Sequence, residues 1–216
     1  MRAVAIVRRR AGGLKTGHAG TLDPLATGVL VMALGRATKS IDALMATDKR
    51  YETVIDLAGF TATDDAEGEI EPVEVATPPT LHDIEAAMAA FRGSFDQRPP
   101  NFSAIKIGGR RAYKMARQGD EVEIPARAVR VDRLEVLAYA WPRLTLDIAC
   151  AKGFYVRSLA RDLGTALGTG GFCRSIRRTE VGPFTLARSI PLDDVPDPLP
   201  LDALLPTADA LALVAE

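Results

Sequence analysis

Cysteine is scarce: Cys150 and Cys173 are the two in 216 residues. They allow at most one disulfide. A disulfide-stapled secreted scaffold is therefore excluded, and a reducing, cytoplasmic setting is the natural reading. Long apolar runs are missing too, since no stretch reaches the ~18 residues that suggest a membrane helix. Met1–Arg10 carries Arg2 and Arg8–Arg10 with no apolar core and no cleavage pattern, so it does not read as a secretory signal. His18 and His82 are the two histidines, and with two distant cysteines they show no zinc-ligand spacing. Neither sits in a motif that would support a Ser-His-Asp triad. There is no G-x-G-x-x-G after a strand, no P-loop and no G-x-S-x-G. Thr63–Glu74 has Asp65, Glu67, Gly68 and Glu74 at EF-hand offsets, but Thr63 stands where a carboxylate is needed. No helix-loop-helix frames it, so no metal site is expected.

An excess of charge of one sign is also lacking: the formal net charge is −1. The distribution is uneven, however. Residues 1–60 carry +4, 61–97 carry −8, 98–178 carry +9 and 179–216 carry −6. Two readings stay open. The basic blocks could meet as a phosphate-binding face, or the acidic segments could fold back and neutralise them. With 47% apolar and 25% charged residues, the chain is globular rather than disordered.

The pattern predicts helices over Arg2–Arg10, Ala37–Met45, Thr80–Phe91 (opened by a Thr80/Asp83 capping box) and Tyr155–Leu167. Strands are predicted over Val29–Leu34, Tyr51–Leu57, Val129–Leu137, Leu144–Ala151 and Phe172–Val181. Thr61–Gly68 reads as a polar loop. Pro99–Pro125 reads as a basic hairpin plus a short helix, and the proline-bearing tail from Ile190 as irregular and then helical. Strands and helices do not alternate regularly, so the expected class is α+β with a mainly antiparallel sheet.

Two segments could carry chemistry. In Thr16–Lys39, Gly17, Gly20 and Gly28 surround one carboxylate, Asp23, and Pro24 fixes the backbone after it. A rigid loop of this kind can present a reactive carboxylate. Taken alone, though, Asp-Pro fits a turn start better. In Gly153–Leu159, Tyr155 and Arg157 open an amphipathic helix. Arg157 could hold a carboxylate as a two-pronged donor or be a plain surface arginine.

The segments together resemble the TruB-type tRNA pseudouridine synthases. The family's G-H-x-G-x-L-D-P-x-A-x-G-x-L run ending in G-x-A-T-K stands here as Gly17–Lys39. Its K-R-Y segment is Lys49–Tyr51, and its S-A-x-K-x-x-G-x-x-x-Y-x-x-A-R-x-G segment is Ser103–Gly119. Its K-G-x-Y-x-R segment is Lys152–Arg157, and its R-R pair is Arg177–Arg178. The likeness runs from about residue 2 to residue 190.

The resemblance implies a pseudouridine synthase fold and isomerisation of a tRNA T-loop uridine, with no cofactor. It implies that Asp23 is the catalytic carboxylate, as nucleophile or as base. The base must be flipped out of its stack. By the same resemblance, His18 takes the place of the flipped base and Tyr51 stacks on the uracil. Tyr155 is the second active-site tyrosine, Arg157 pairs with the catalytic carboxylate, and Ile176 lines the uracil pocket. Lys106, Arg110, Arg111, Lys114 and Arg117, in the basic insertion Pro100–Arg127, and Arg177 and Arg178 are the implied RNA contacts.

The expected organisation is a catalytic domain over residues 1–190, with the insertion over about 100–127, and a tail over 191–216. The implied partner is the tRNA T-arm, for a monomer with no membrane and no obligate protein partner. The family's preceding K-P-x-G strand and its C-terminal RNA-binding extension are not found. That leaves a late start, a fragment or a shortened variant as open readings. The alternative functions are a tRNA-binding or folding module without turnover, and a synthase for another RNA. The charge blocks add one further expectation, a basic face around Asp23 with an acidic remainder.

Overall fold

The computed structural model describes residues 2–103, 105–107, 109–111, 115 and 124–215. The chain divides into two units, one of residues 1–50 and 178–216, the other of residues 51–177. The boundary passes through two strands, β4 (Lys49–Asp56) and β12 (Phe172–Val181).

In the first unit, helix α1 (Arg2–Arg10) buries Val7. Strand β1 (Thr16–His18) pairs antiparallel with β3 (Met32–Leu34), placing His18 opposite Met32. Between them lies the short strand β2 (Thr27–Gly28), which pairs with β12. The predicted strand Val29–Leu34 is therefore broken. Gly28 has φ +99°, and Val29 exchanges hydrogen bonds with Arg178 before Met32 joins β1. Only Val29 and Ala33 of that run are buried. The predicted helix Ala37–Met45 is likewise split, into a 3-10 turn (Gly35–Ser40) and helix α2 (Ile41–Met45).

After Arg178, β12 ends in a pairing with β13 (Phe184–Thr185). The tail is then tied to α1. Arg9 and Arg10 both reach Asp197, at 3.2 and 3.9 Å, and Leu199 N–H donates to the Arg10 carbonyl at 2.8 Å. The chain closes in helix α5 (Thr207–Ala215), against α2.

In the second unit, β4 and β12 are sheet neighbours, and the order continues from β4 through β11 (Arg143–Cys150) and β10 (Arg127–Ala140) to β7 (Gly93–Gln97). Strand β10 is antiparallel to both β11 and β7. It buries Val129, Val131 and then Leu134. That change of phase falls at a register shift between Val131 and Arg133, as a bulge demands. The core joins these residues to Ile55, Leu57, Leu144, Leu146 and Ile148.

Helix α3 (Leu81–Met88) starts as predicted, with a reciprocal capping box. Thr80 N–H donates to Asp83 Oδ2 at 2.8 Å, and Asp83 N–H donates to Thr80 Oγ1 at 3.2 Å. Helix α4 (Val156–Leu167) buries Val156, Leu159, Ala160 and Leu163, the helical spacing read in the sequence. It also runs directly on the chain leading into β12. A Cβ on Gly164 would lie 2.1 Å from the Gly170 carbonyl oxygen, so only glycine lets the two backbones approach. A small sheet of β5 (Gly59–Thr61) and β6 (Ile70–Pro72) completes this unit, with the hairpin β8 (Lys106–Ile107) and β9 (Arg110–Arg111).

The expected α+β class with an antiparallel-dominated sheet is what the chain adopts. Among the described residues no helix is long and apolar enough to cross a membrane, and no cluster of His, Cys, Asp or Glu could hold a metal. Both cysteines are buried, and they are not joined in a disulfide.

Candidate active site

Asp23 is half-buried in the loop between β1 and β2. Pro24 follows it, and the Ala26 N–H donates to the Asp23 carbonyl at 2.9 Å, closing a turn. The turn that Asp-Pro predicts is thus present, with Asp23 at its first position. The loop is tied down from below by Arg178. Its Nε donates to the Val29 carbonyl at 2.8 Å, Nη2 to Gly20 at 3.1 Å and Nη1 to Thr21 at 3.5 Å. In return, Val29 N–H donates to the Arg178 carbonyl at 2.8 Å.

Arg178 is 2% exposed, and here an expectation needs correction. Its guanidinium is consumed by loop carbonyls inside the protein, so it is not placed to meet an RNA phosphate. The strand alternation explains why: neighbouring Arg177 is exposed while Ile176 and Arg178 are buried. His18 is half-buried at the end of β1. Its Nδ1 is shielded from solvent and has no hydrogen-bond partner among the described residues.

The second unit holds the other named side chains. Tyr51 is half-buried on β4, and Ile176 is buried on β12. Tyr155 caps the start of α4. Its backbone is gripped at both polar groups by one amide: Gln97 Nε2 donates to the Tyr155 carbonyl at 3.0 Å, and Tyr155 N–H donates to Gln97 Oε1 at 2.8 Å. Arg157, two residues on, is 4% exposed. It donates to the carbonyls of Thr63 at 3.0 Å and Phe102 at 3.1 Å, and it lies 3.4 Å from the Asp65 carboxylate.

Asp65 is itself fixed, because Thr63 Oγ1 donates to its Oδ1 at 2.7 Å and Glu67 N–H at 3.0 Å. Next to it, Asp64 adopts φ +59° and pairs with Arg161 at 2.8 Å. Burial pushes the Asp64 carboxyl up to about 6, against the opposing pull of Arg161 and Arg157. The loop is stitched to β12 by Cys173 N–H donating to Asp64 and Ala66 N–H donating to Cys173, at 3.0 and 2.9 Å.

In the segment whose spacing resembled an EF-hand, Asp64 and Asp65 face Arg161 and Arg157. Sequence reasoning placed Thr61–Gly68 as a polar loop and missed Asp64, Asp65, Arg161 and Gln97. The T-D-D string was visible, but burial of a loop carboxylate has no periodic signature.

Of the predicted RNA contacts, Arg110 is exposed and Arg177 is exposed. Lys106 and Arg111 are backbone partners across the β8–β9 hairpin. Lys114 and Arg117 lie outside the described residues.

Comparison with known proteins gives this arrangement a context. A family model described as "TruB family pseudouridylate synthase (N terminal domain)" matches residues 8–156. A second, "tRNA pseudouridylate synthase B C-terminal domain", matches residues 157–207. A tRNA pseudouridine synthase B of Mycobacterium sp. (strain KMS) is 50% identical over 194 residues, covering 88% of this chain and 65% of that protein. The one from Mycobacterium tuberculosis (strain ATCC 25618 / H37Rv) is 49% identical over 185 residues, covering 84% and 62%. The chain thus spans a little under two thirds of the length of these relatives.

Among solved structures, a Cbf5-Nop10-Gar1 complex aligns with a TM-score of 0.64 and 30% identity, over 84% of this chain and 45% of that one. An H/ACA RNP bound to a substrate RNA containing 2′-deoxyuridine aligns with a TM-score of 0.61 and 27% identity, over 85% and 44%. With a family model matched over more than half its length, the chain belongs to the TruB family of pseudouridylate synthases.

Proposed function

We propose that this protein converts a uridine in the T-loop of tRNA to pseudouridine, with Asp23 as the catalytic carboxylate. The observation that carries the reading is the Asp23 loop. A single half-buried carboxylate sits on a closed turn, inside the Gly17–Lys39 run that the family shares, and a buried arginine braces it.

The reaction breaks the bond from ribose C1′ to uracil N1 and forms one from C1′ to C5. The C5 proton leaves and N1 gains one, so the change is an isomerisation with no redox step and no external group. A carboxylate suits either route, adding to the sugar or removing a ribose proton. Arg157 is the cation that supports Asp23 in this reading, and the Thr63, Phe102 and Asp65 contacts hold its guanidinium in one orientation. Tyr51 and Tyr155 supply flat faces for the flipped uracil, and Ile176 an apolar wall. His18 fills the gap left in the loop, offsetting the few kcal/mol, roughly, that unstacking costs. The protein acts without a cofactor, as a monomer in the cytoplasm, and meets the T-arm through the basic insertion.

A second reading, a synthase acting on another RNA, draws on the likeness to the H/ACA RNP structure. Mapping pseudouridine in unmodified tRNA transcripts after incubation separates the two. The expected product lies in the T-loop, and Asp23→Asn makes none. Product elsewhere, with an unchanged T-loop, favours the second reading.

A further inference from the structure

Arg178 is a buried cation whose partners, among the described residues, are carbonyl oxygens and not a carboxylate. That is an expensive way to gain stability. Desolvating a guanidinium is costly, and neutral acceptors return less than a counter-charge would. An apolar residue on an inward-facing β12 position would avoid that penalty.

What the guanidinium does supply is geometry. Its planar fork reaches both ends of the Asp23 loop at once: the entry through Gly20 and Thr21, the exit through Val29. The backbone of the same residue takes the Val29 N–H, so four contacts from one position clamp a loop of ten residues. At the exit, Gly28 passes so close to β12 that a Cβ there would lie 2.1 Å from the Arg178 carbonyl oxygen, so only glycine lets the loop reach these bonds.

Resting on the functional reading above, we propose that Arg178 is a positioning residue for catalysis. It sets where the Asp23 carboxylate stands and acts on the bond-making step rather than on RNA affinity. Lysine cannot replace it, since one ammonium on a flexible stem does not span two loop ends. A carboxylate displaced by 1 Å loses ~10²-fold in rate by the ordinary sensitivity of positioned groups.

The test uses the full chain and an unmodified tRNA transcript. It measures the single-turnover rate at saturating enzyme, the transcript Kd and the folded fraction. Arg178→Lys is compared with wild type and with Val7→Ala, a core truncation in α1 that lowers stability without touching the loop. The expected result for Arg178→Lys is a rate at least tenfold lower per folded molecule, with Kd within threefold of wild type. Three results overturn the inference: a fall of less than tenfold, a fall that only tracks the folded fraction as in Val7→Ala, or a Kd weakened beyond threefold. An inactive wild type overturns the functional reading and this inference with it. An active wild type with an unimpaired Arg178→Lys overturns the inference alone.

Discussion

Asp64 shows how much one buried carboxylate can govern. Its carboxyl titrates near 6 instead of 3.8, mainly because burial disfavours the charge. A folded-state value above the unfolded one means that the stabilising proton is fully held below pH ~4 and released as pH rises through about 6. Wild type should therefore lose stability relative to Asp64→Asn between pH 4 and 6, with the difference constant above pH 7. Denaturant melts across that range check it, and a pH-independent difference contradicts it. Asp23 and Arg157 could be singled out in the sequence because they sit in family runs, and their roles belong to the proposal above. Asp64, Asp65 and Gln97 were not, because their importance lies in what they touch. Arg178 was legible as a residue but not as a role: an arginine in a basic block reads as an RNA contact until the strand alternation shows that it points inward.

Elements with a strong period were read well. Helix α4 and strand β12 begin and end within a residue of the pattern, because buried positions at i, i+3, i+4 or at i, i+2 leave a repeating trace. The segment Val29–Leu34 failed because hydrophobicity cannot reveal a change of pairing partner halfway along. The helix predicted over Ala37–Met45 failed in the same way, since a 3-10 turn and an α-helix share similar apolar spacing over so short a run. The approach of α4 to Gly170 and Gly171 was invisible as well, although the two glycines it requires, Gly164 and Gly171, were in plain view. Gly164→Ala forces a Cβ against backbone rather than a side chain. It should cost at least about 2 kcal/mol, or roughly 4–8 °C in Tm, read by calorimetry. An unchanged Tm would mean that the helix can move away freely.

The charge blocks take on a different meaning at the scale of the molecule. The first unit combines a +6 stretch, residues 1–50, with a −5 stretch, residues 178–216. Arg9 and Arg10 meet Asp197 there. In the second unit the acidic stretch contributes Asp64 and Asp65 to Arg161 and Arg157. Acidic segments do fold back on basic ones, so the expected division into a basic face and an acidic remainder is not clean. RNA affinity should then rest on particular exposed arginines. Replacing Arg110 by alanine should lower the slope of log affinity against log salt by about one. An identical slope removes Arg110 from the RNA contacts.

Loss of hydrogen from C5 reports the proposed isomerisation directly. A tRNA transcript carrying tritium at uridine C5 should release one tritium per molecule to water with the wild-type chain, from the T-loop uridine, and none with Asp23→Asn. Retention of all label by a folded wild-type chain, or equal release by Asp23→Asn, would contradict the account.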